Sequence, residues 1–275
     1  MKHKFSISRL LVVLLIFYVF IVSIIILFQI ISFYFPPPTS MRAVIHNGLV
    51  YLNDQINPEL GLLRESPVVA PNRYWLTNDN ALASYTFSQF GYKDTRRMIL
   101  QNLDDYGDFE NNFIEVVMGH VVYMPPRVPD AVLITKIGDA EIWTEKHVSD
   151  NRYEDWQEYA NLGFMVALNH VNLDIKAIAQ ELIMKTMGMF DGKGFRDKAF
   201  NGSYDTYKLA LAIYTARNAN MILHEEEIIL DILLKMLDKN GGFLTRYDEN
   251  LNPLGDTNTE TTSFALLAIH SLVYR

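Results

Sequence analysis

The sequence predicts an all-α domain over residues 41–275, arranged as a ring of helical hairpins behind an amino-terminal transmembrane helix. Three observations carry this expectation. Residues 10–35 are almost wholly apolar. The helical segments that follow alternate between apolar on nearly every face and amphipathic. The apolar ones begin at recurring points, with 50 residues from Asp155 to Asp205 and 55 from Asp205 to Glu260.

Composition narrows the function classes first. With 49% hydrophobic residues among 275, the chain can bury a sizeable core and is not an intrinsically disordered one. The first 40 residues hold Lys2, Lys4 and Arg9 and no acid, so the remainder carries 21 basic against 32 acidic residues, a net −11. Such a surface repels phosphate backbones and argues against a nucleic-acid partner. The chain has no cysteine, which excludes disulfide scaffolds, thiolate zinc sites and cysteine nucleophiles.

In chain order, residues 1–9 read as a cytoplasmic tail and residues 10–35 as the membrane anchor. As a helix, 26 residues cover about 39 Å against a hydrocarbon core of about 30 Å, enough to span the lipid bilayer with some tilt. The run is too long for a cleaved signal, and no small-x-small site follows it. The positive charges precede the span, so the positive-inside rule places residues 41–275 outside the cytoplasm. Pro36, Pro37 and Pro38 with Thr39 and Ser40 form a stiff spacer over residues 36–40. The sequon Asn201-Gly202-Ser203 is compatible with export but is also expected by chance.

Within residues 41–275, the segments 81–90, 159–168, 204–216 and 261–274 are apolar or small on nearly every face and must be covered on all sides. Segments 174–187 and 223–238 are amphipathic. In the latter, Ile228, Ile229, Ile232, Leu233 and Met236 oppose Glu225, Asp231, Lys235 and Asp238. An inner buried helix followed by an outer half-exposed one is what a chain of hairpins gives when it curls into two layers. The loops entering the last two inner helices match, Asp191-Gly192-Lys193-Gly194-Phe195 against Lys239-Asn240-Gly241-Gly242-Phe243. One stretch, 131–147, departs from the helical pattern and reads as a β-hairpin around Ile137-Gly138-Asp139-Ala140, either a cap on the ring mouth or a surface excursion.

With these glycine loops and the following Glu260-Thr261-Thr262-Ser263-Phe264-Ala265-Leu266-Leu267-Ala268, the chain resembles the α/α-toroid superfamily of six-hairpin glycosidases, polysaccharide lyases and terpenoid-cyclase-like barrels. Through Tyr74-Trp75-Leu76-Thr77-Asn78-Asp79-Asn80-Ala81-Leu82-Ala83 it is also similar to uncharacterised membrane-anchored archaeal proteins. The likeness covers 191–272 well and 41–275 loosely. It implies a ring fold and no settled activity. At about 50 residues per hairpin the domain supplies four to five hairpins rather than six, so the ring is closed or partly open.

In such a ring the amino ends of the inner helices converge on one mouth, where free N–H groups and helix dipoles favour acidic groups. The residues placed there are Asn78, Asp79, Asn80, Asp155, Glu158, Asp205 and Glu260, beside Trp75, Trp156, Tyr159, Tyr204 and Tyr207. Asp155, Asp205 and Glu260 are the candidate catalytic residues and the others the candidate ligand contacts. Paired carboxylates flanking a cavity are what glycosidic hydrolysis requires, and aromatic faces suit sugar rings. Helix capping competes as an explanation, since Thr257 to Glu260 reads as a capping box and Asp205 opens a helix.

Other chemistries find less. Asp104-Asp105-Tyr106-Gly107-Asp108 matches a diphosphate–magnesium pattern but falls where Gly107 favours a loop. Seven scattered histidines show no metal-ligand spacing, and no serine-hydrolase elbow, Walker loop or dinucleotide fingerprint occurs. No metal or cofactor is therefore expected. The expectation is a membrane-anchored, extracytoplasmic protein of one of two classes, an enzyme on cell-surface glycans or a non-catalytic module binding a glycan or a cell-envelope protein.

Overall fold

The computed structural model describes residues 40–107 and 110–274. The chain divides into a unit Met1–Ser40 and a compact unit Met41–Arg275, which holds the elements that follow. Its helices are α1 (Met41–Asp54), α2 (Leu82–Gln89), α3 (Lys93–Asp104), α4 (Asn112–Val117), α5 (Ala160–Asn172), α6 (Lys176–Met187), α7 (Thr206–Asn218), α8 (Glu226–Lys235) and α9 (Thr259–Val273).

The apolar segments lie inside. In α5, α7 and α9 nearly every residue of the central turns is buried, Leu162 to Asn169, Lys208 to Ala216 and Thr261 to Ile269 respectively. These helices line up side by side: α5 packs on α7, α7 on α9, and α9 on α2. Each inner helix has an outer partner, α3 against α2, α6 against α5, α8 against α7, and α1 against α9. The outer helices bury one stripe, as Ala179, Ile183, Thr186 and Met187 do in α6. In α8 the stripe is Ile229, Ile232 and Leu233 with Met236 after it, whereas Ile228 lies on the exposed face.

Close approach of α5 to α6 depends on Gly163, where a Cβ would lie 2.4 Å from Oγ1 of Thr186. Alanine is the better helix former by about 1 kcal/mol, yet Gly163→Ala should lower stability by about 1–3 kcal/mol through overpacking. Urea unfolding checks this, and a stabilised variant would mean the two helices part without cost.

The all-α expectation is corrected: helix accounts for 48% and strand for 18%, in three sheets, so the fold is mixed α/β. β1 (Ile56–Asn57) pairs with β2 (Leu62–Leu63). β5 (Ala140–Lys146) is the middle strand of the second sheet, parallel to β3 (Arg73–Trp75) and antiparallel to β4 (Asp130–Ile137). The third sheet is β6 (Ser203–Asp205), β7 (Leu244–Asp248) and β8 (Pro253–Thr257). Outside the 131–147 hairpin the strands leave no periodic pattern in the sequence, because several are only two or three residues long. The hairpin around Gly138 is present but is no excursion, since it is fixed to β3. The matching glycine loops both close an isolated bridge, Phe190 to Phe195 and Leu237 to Phe243, the second loop being one residue longer.

The membrane assignment is corrected as well. Among the described residues no helix is long and apolar enough to cross a membrane. The longest, α9, has 15 residues and covers about 22 Å, short of a hydrocarbon core. Residues 1–9, the run 10–35 and most of the spacer 36–40 lie outside the described residues, so the transmembrane, single-pass and extracytoplasmic expectations have no structural support.

Candidate functional site

Three inner helices are entered directly from strands. β3 leads through the π-helical turn Leu76–Ala81 into α2, β6 into α7, and β8 through Asn258 into α9. Two sheets therefore stand at the amino ends of the inner helices, and the acidic side chains gather there.

At α9 the cap is Asn258, whose Oδ1 accepts the Thr261 N–H at 2.8 Å. The expected Thr257–Glu260 capping box does not form, which frees the Glu260 carboxyl from that duty. Asp205 occupies the N-cap position of α7 without bonding a helix N–H. It pairs instead with Lys208 at 2.9 Å. Lys208 also bonds Asp197 at 2.8 Å, with the two side chains only 3% and 0% exposed. Asp197 in turn accepts the Ala160 N–H at 2.8 Å and so caps α5. One buried ammonium thus ties the starts of two inner helices together.

Two cavities, of about 160 and 400 Å³, adjoin at this point, and Glu260 and Tyr207 line both. The larger is bounded further by Asp205, Glu65, Asp256 and Arg246. The smaller is bounded by Glu145, Asn78, Asn111, Arg127 and Tyr153. Glu145 accepts from the Asn111 side-chain amide, which also donates to Asn78 Oδ1 at 3.1 Å.

Burial and crowding of like charge govern ionisation here. Desolvation, reinforced by the charges of Glu145, Glu65 and Asp205, pushes the Glu260 carboxyl up to about 8. Glu145 is also raised, burial outweighing the hydrogen bonds it receives from Asn111 and Asn78. Asp79 is 1% exposed, and its Oδ2 has no hydrogen-bond partner among the described residues. Burial first, then the charges of Glu260 and Glu65, hold its carboxyl well above the ordinary range. The Tyr207 phenol is raised by burial and by the neighbouring charges of Asp205 and Glu260. The arrangement offers a protonated carboxyl at neutral pH next to an ion-paired carboxylate, facing one cavity.

Of the residues expected at the mouth, the structure brings together Asn78, Asp205, Tyr207 and Glu260, with Asp79 buried and electrostatically coupled to Glu260. The rest lie elsewhere. Asp155 and Glu158 pair with Lys198 at 2.5 and 3.2 Å and line neither cavity. Trp156 packs on the core edge and Tyr159 lies 5.7 Å under Lys198. Asn80 is buried, its amide bonding Leu63 and the Trp75 carbonyl. Trp75 donates to Glu65 at 3.0 Å and rests against Trp143. Tyr204 stacks on Tyr247 and donates to Asp191 at 2.6 Å. Sequence reasoning missed Glu65, Glu145 and Asp256. For Glu145 a signal existed: along β5 the buried positions are Ala140, Ile142 and Thr144, which leaves Glu145 on the other face.

Among the described residues no group of three or more His, Asp or Glu side chains is placed to hold a metal ion. The chain matches no protein-family model, no curated protein and no solved structure. None of these comparisons supports the expected likeness to α/α-toroids.

Proposed function

We propose that this cleft hydrolyses a glycosidic bond in a hydroxyl-rich chain, with Glu260 as the general acid and Asp205 as the second carboxylate. The observation that carries the reading is that Glu260, raised to about 8, and Asp205, paired with Lys208, line the same cavity. Hydrolysis of an acetal requires one carboxyl that delivers a proton to the leaving oxygen and one carboxylate that either activates water or attacks the anomeric carbon. Glu260 holds its proton because burial and three acidic neighbours oppose its charge. Asp205 is held by the Lys208 ammonium at 2.9 Å. The many acids around the cavity favour neutral sugars over polyanions.

The test is reducing-end release from a panel of neutral oligosaccharides, comparing the parent with Asp205→Asn. At least one oligosaccharide should be cleaved, and the variant should lose about 10²–10⁴-fold in rate. Release from none of them, or an equally active variant, would contradict hydrolysis at this pair. Binding of the panel without turnover would assign the cleft to recognition alone, the second class expected from the sequence.

A further inference from the structure

The two cavities that share Glu260 have a third neighbour, and this inference rests on the hydrolytic reading above. A cavity of about 620 Å³ adjoins the small one, and Asn112 and Arg127 line both. The order is therefore a wide chamber of about 400 Å³, a narrow one of about 160 Å³ and a wide one of about 620 Å³. Glu260 stands at the first junction, with open space to either side of it.

The far chamber carries an aromatic platform. Tyr123 lines it and is 77% exposed, an unusual position for a large ring, while the Arg152 guanidinium lies 4.8 Å from the ring centroid. The loop beneath is fastened. Buried Asn169 bonds both the N–H and the carbonyl of Val122, at 2.9 and 3.0 Å, and Arg152 donates to the Pro125 carbonyl at 2.6 Å. The ring is thus presented to solvent on a held segment and backed by a cation, which suits stacking against the apolar face of a sugar. Glu110 and Glu115 offset Arg127 and Arg152 around the chamber, so its lining selects no strong charge.

We propose that the three chambers form one groove for a linear, neutral glycan, that Tyr123 is the platform of its distal subsite, and that the chain is cut internally. A proton donor with binding space on both sides acts on a bond inside the chain, whereas an acid at the closed end of a pocket acts on terminal units.

The experiment uses the full chain carrying Glu260→Gln, chosen to slow turnover, titrated with neutral oligosaccharides of three to eight units. Affinity should rise with length. Adding Tyr123→Ala should cost the eight-unit chain about tenfold and the three-unit chain clearly less, the scale of one aromatic stacking contact. An exposed ring can be truncated without unfolding the domain, and circular dichroism of the variant verifies this. In the parent, early products should be of intermediate length. Affinity independent of length, an equal loss at all lengths, or release of single terminal units would overturn the groove while leaving the acid pair standing. Length-dependent binding without turnover would retain the groove and remove hydrolysis. No binding at any length would overturn both.

Discussion

Glu260→Gln is expected to cut glycan hydrolysis by about 10²–10⁴-fold while making the fold more stable at alkaline pH. The loss follows from removing the only proton that the acid delivers to the leaving oxygen. The gain follows from linkage. The folded carboxyl titrates at about 8 against an ordinary 4.5, so between those values the folded state binds more protons than the unfolded one. Stability therefore falls as pH rises through that window, because folding must either hold a proton that solvent would take or bury a charge. Glutamine has no proton to lose, so the variant should gain on the parent progressively from about pH 4.5 to about pH 8, by at least ~1 kcal/mol at the upper end. Urea unfolding of both proteins at acid and alkaline pH, alongside reducing-end assays, measures the pair of effects. A loss of activity accompanied by a pH-independent loss of stability would indicate a structural residue instead.

Lys208→Met should cost about 3–5 kcal/mol, the usual penalty for stripping one partner from a buried ion pair. Asp197 has no side-chain exposure, so without the ammonium its charge is left inside the protein at the start of α5. The same lysine holds Asp205, and activity should fall with stability. Replacing Asp197 by Asn in the same chain should recover part of the stability, because it removes the stranded charge. Denaturant unfolding of the single and double variants decides this. A cost below about 1 kcal/mol for the single change would mean that water reaches the pair.

Helix identity was legible wherever burial imposes a pattern. The text of α5, α7 and α9 is apolar on every face because each is packed between two helices and an outer partner, and α6 reads as a stripe because only one side is covered. Apart from the hairpin of β4 and β5, which alternation over 131–147 announced, the strands were not legible for the opposite reason. β6 has three residues and merges with the start of α7, and β3 acquires its meaning only from its parallel pairing with β5. The site was half legible. Helix starts at Asp205 and Glu260 could be read from the chain, but the same logic promoted Asp155 and Glu158, which the structure turns to the surface and pairs with Lys198. Glu65 reaches the cleft from a loop that no local spacing announces, and Glu145 from a sheet whose alternation fixes its face but not its partners. Capping was also misplaced by sequence, since Asn258 outcompetes Thr257 at α9 and Asp197, distant in sequence, caps α5.

The most direct measurement is a carbon-13 NMR titration of the Glu260 side-chain carboxyl, assigned by its disappearance in Glu260→Gln. A midpoint of about 8 is expected. A midpoint near the ordinary glutamate value of about 4.5 would contradict the assignment of Glu260 as the acid of the cleft.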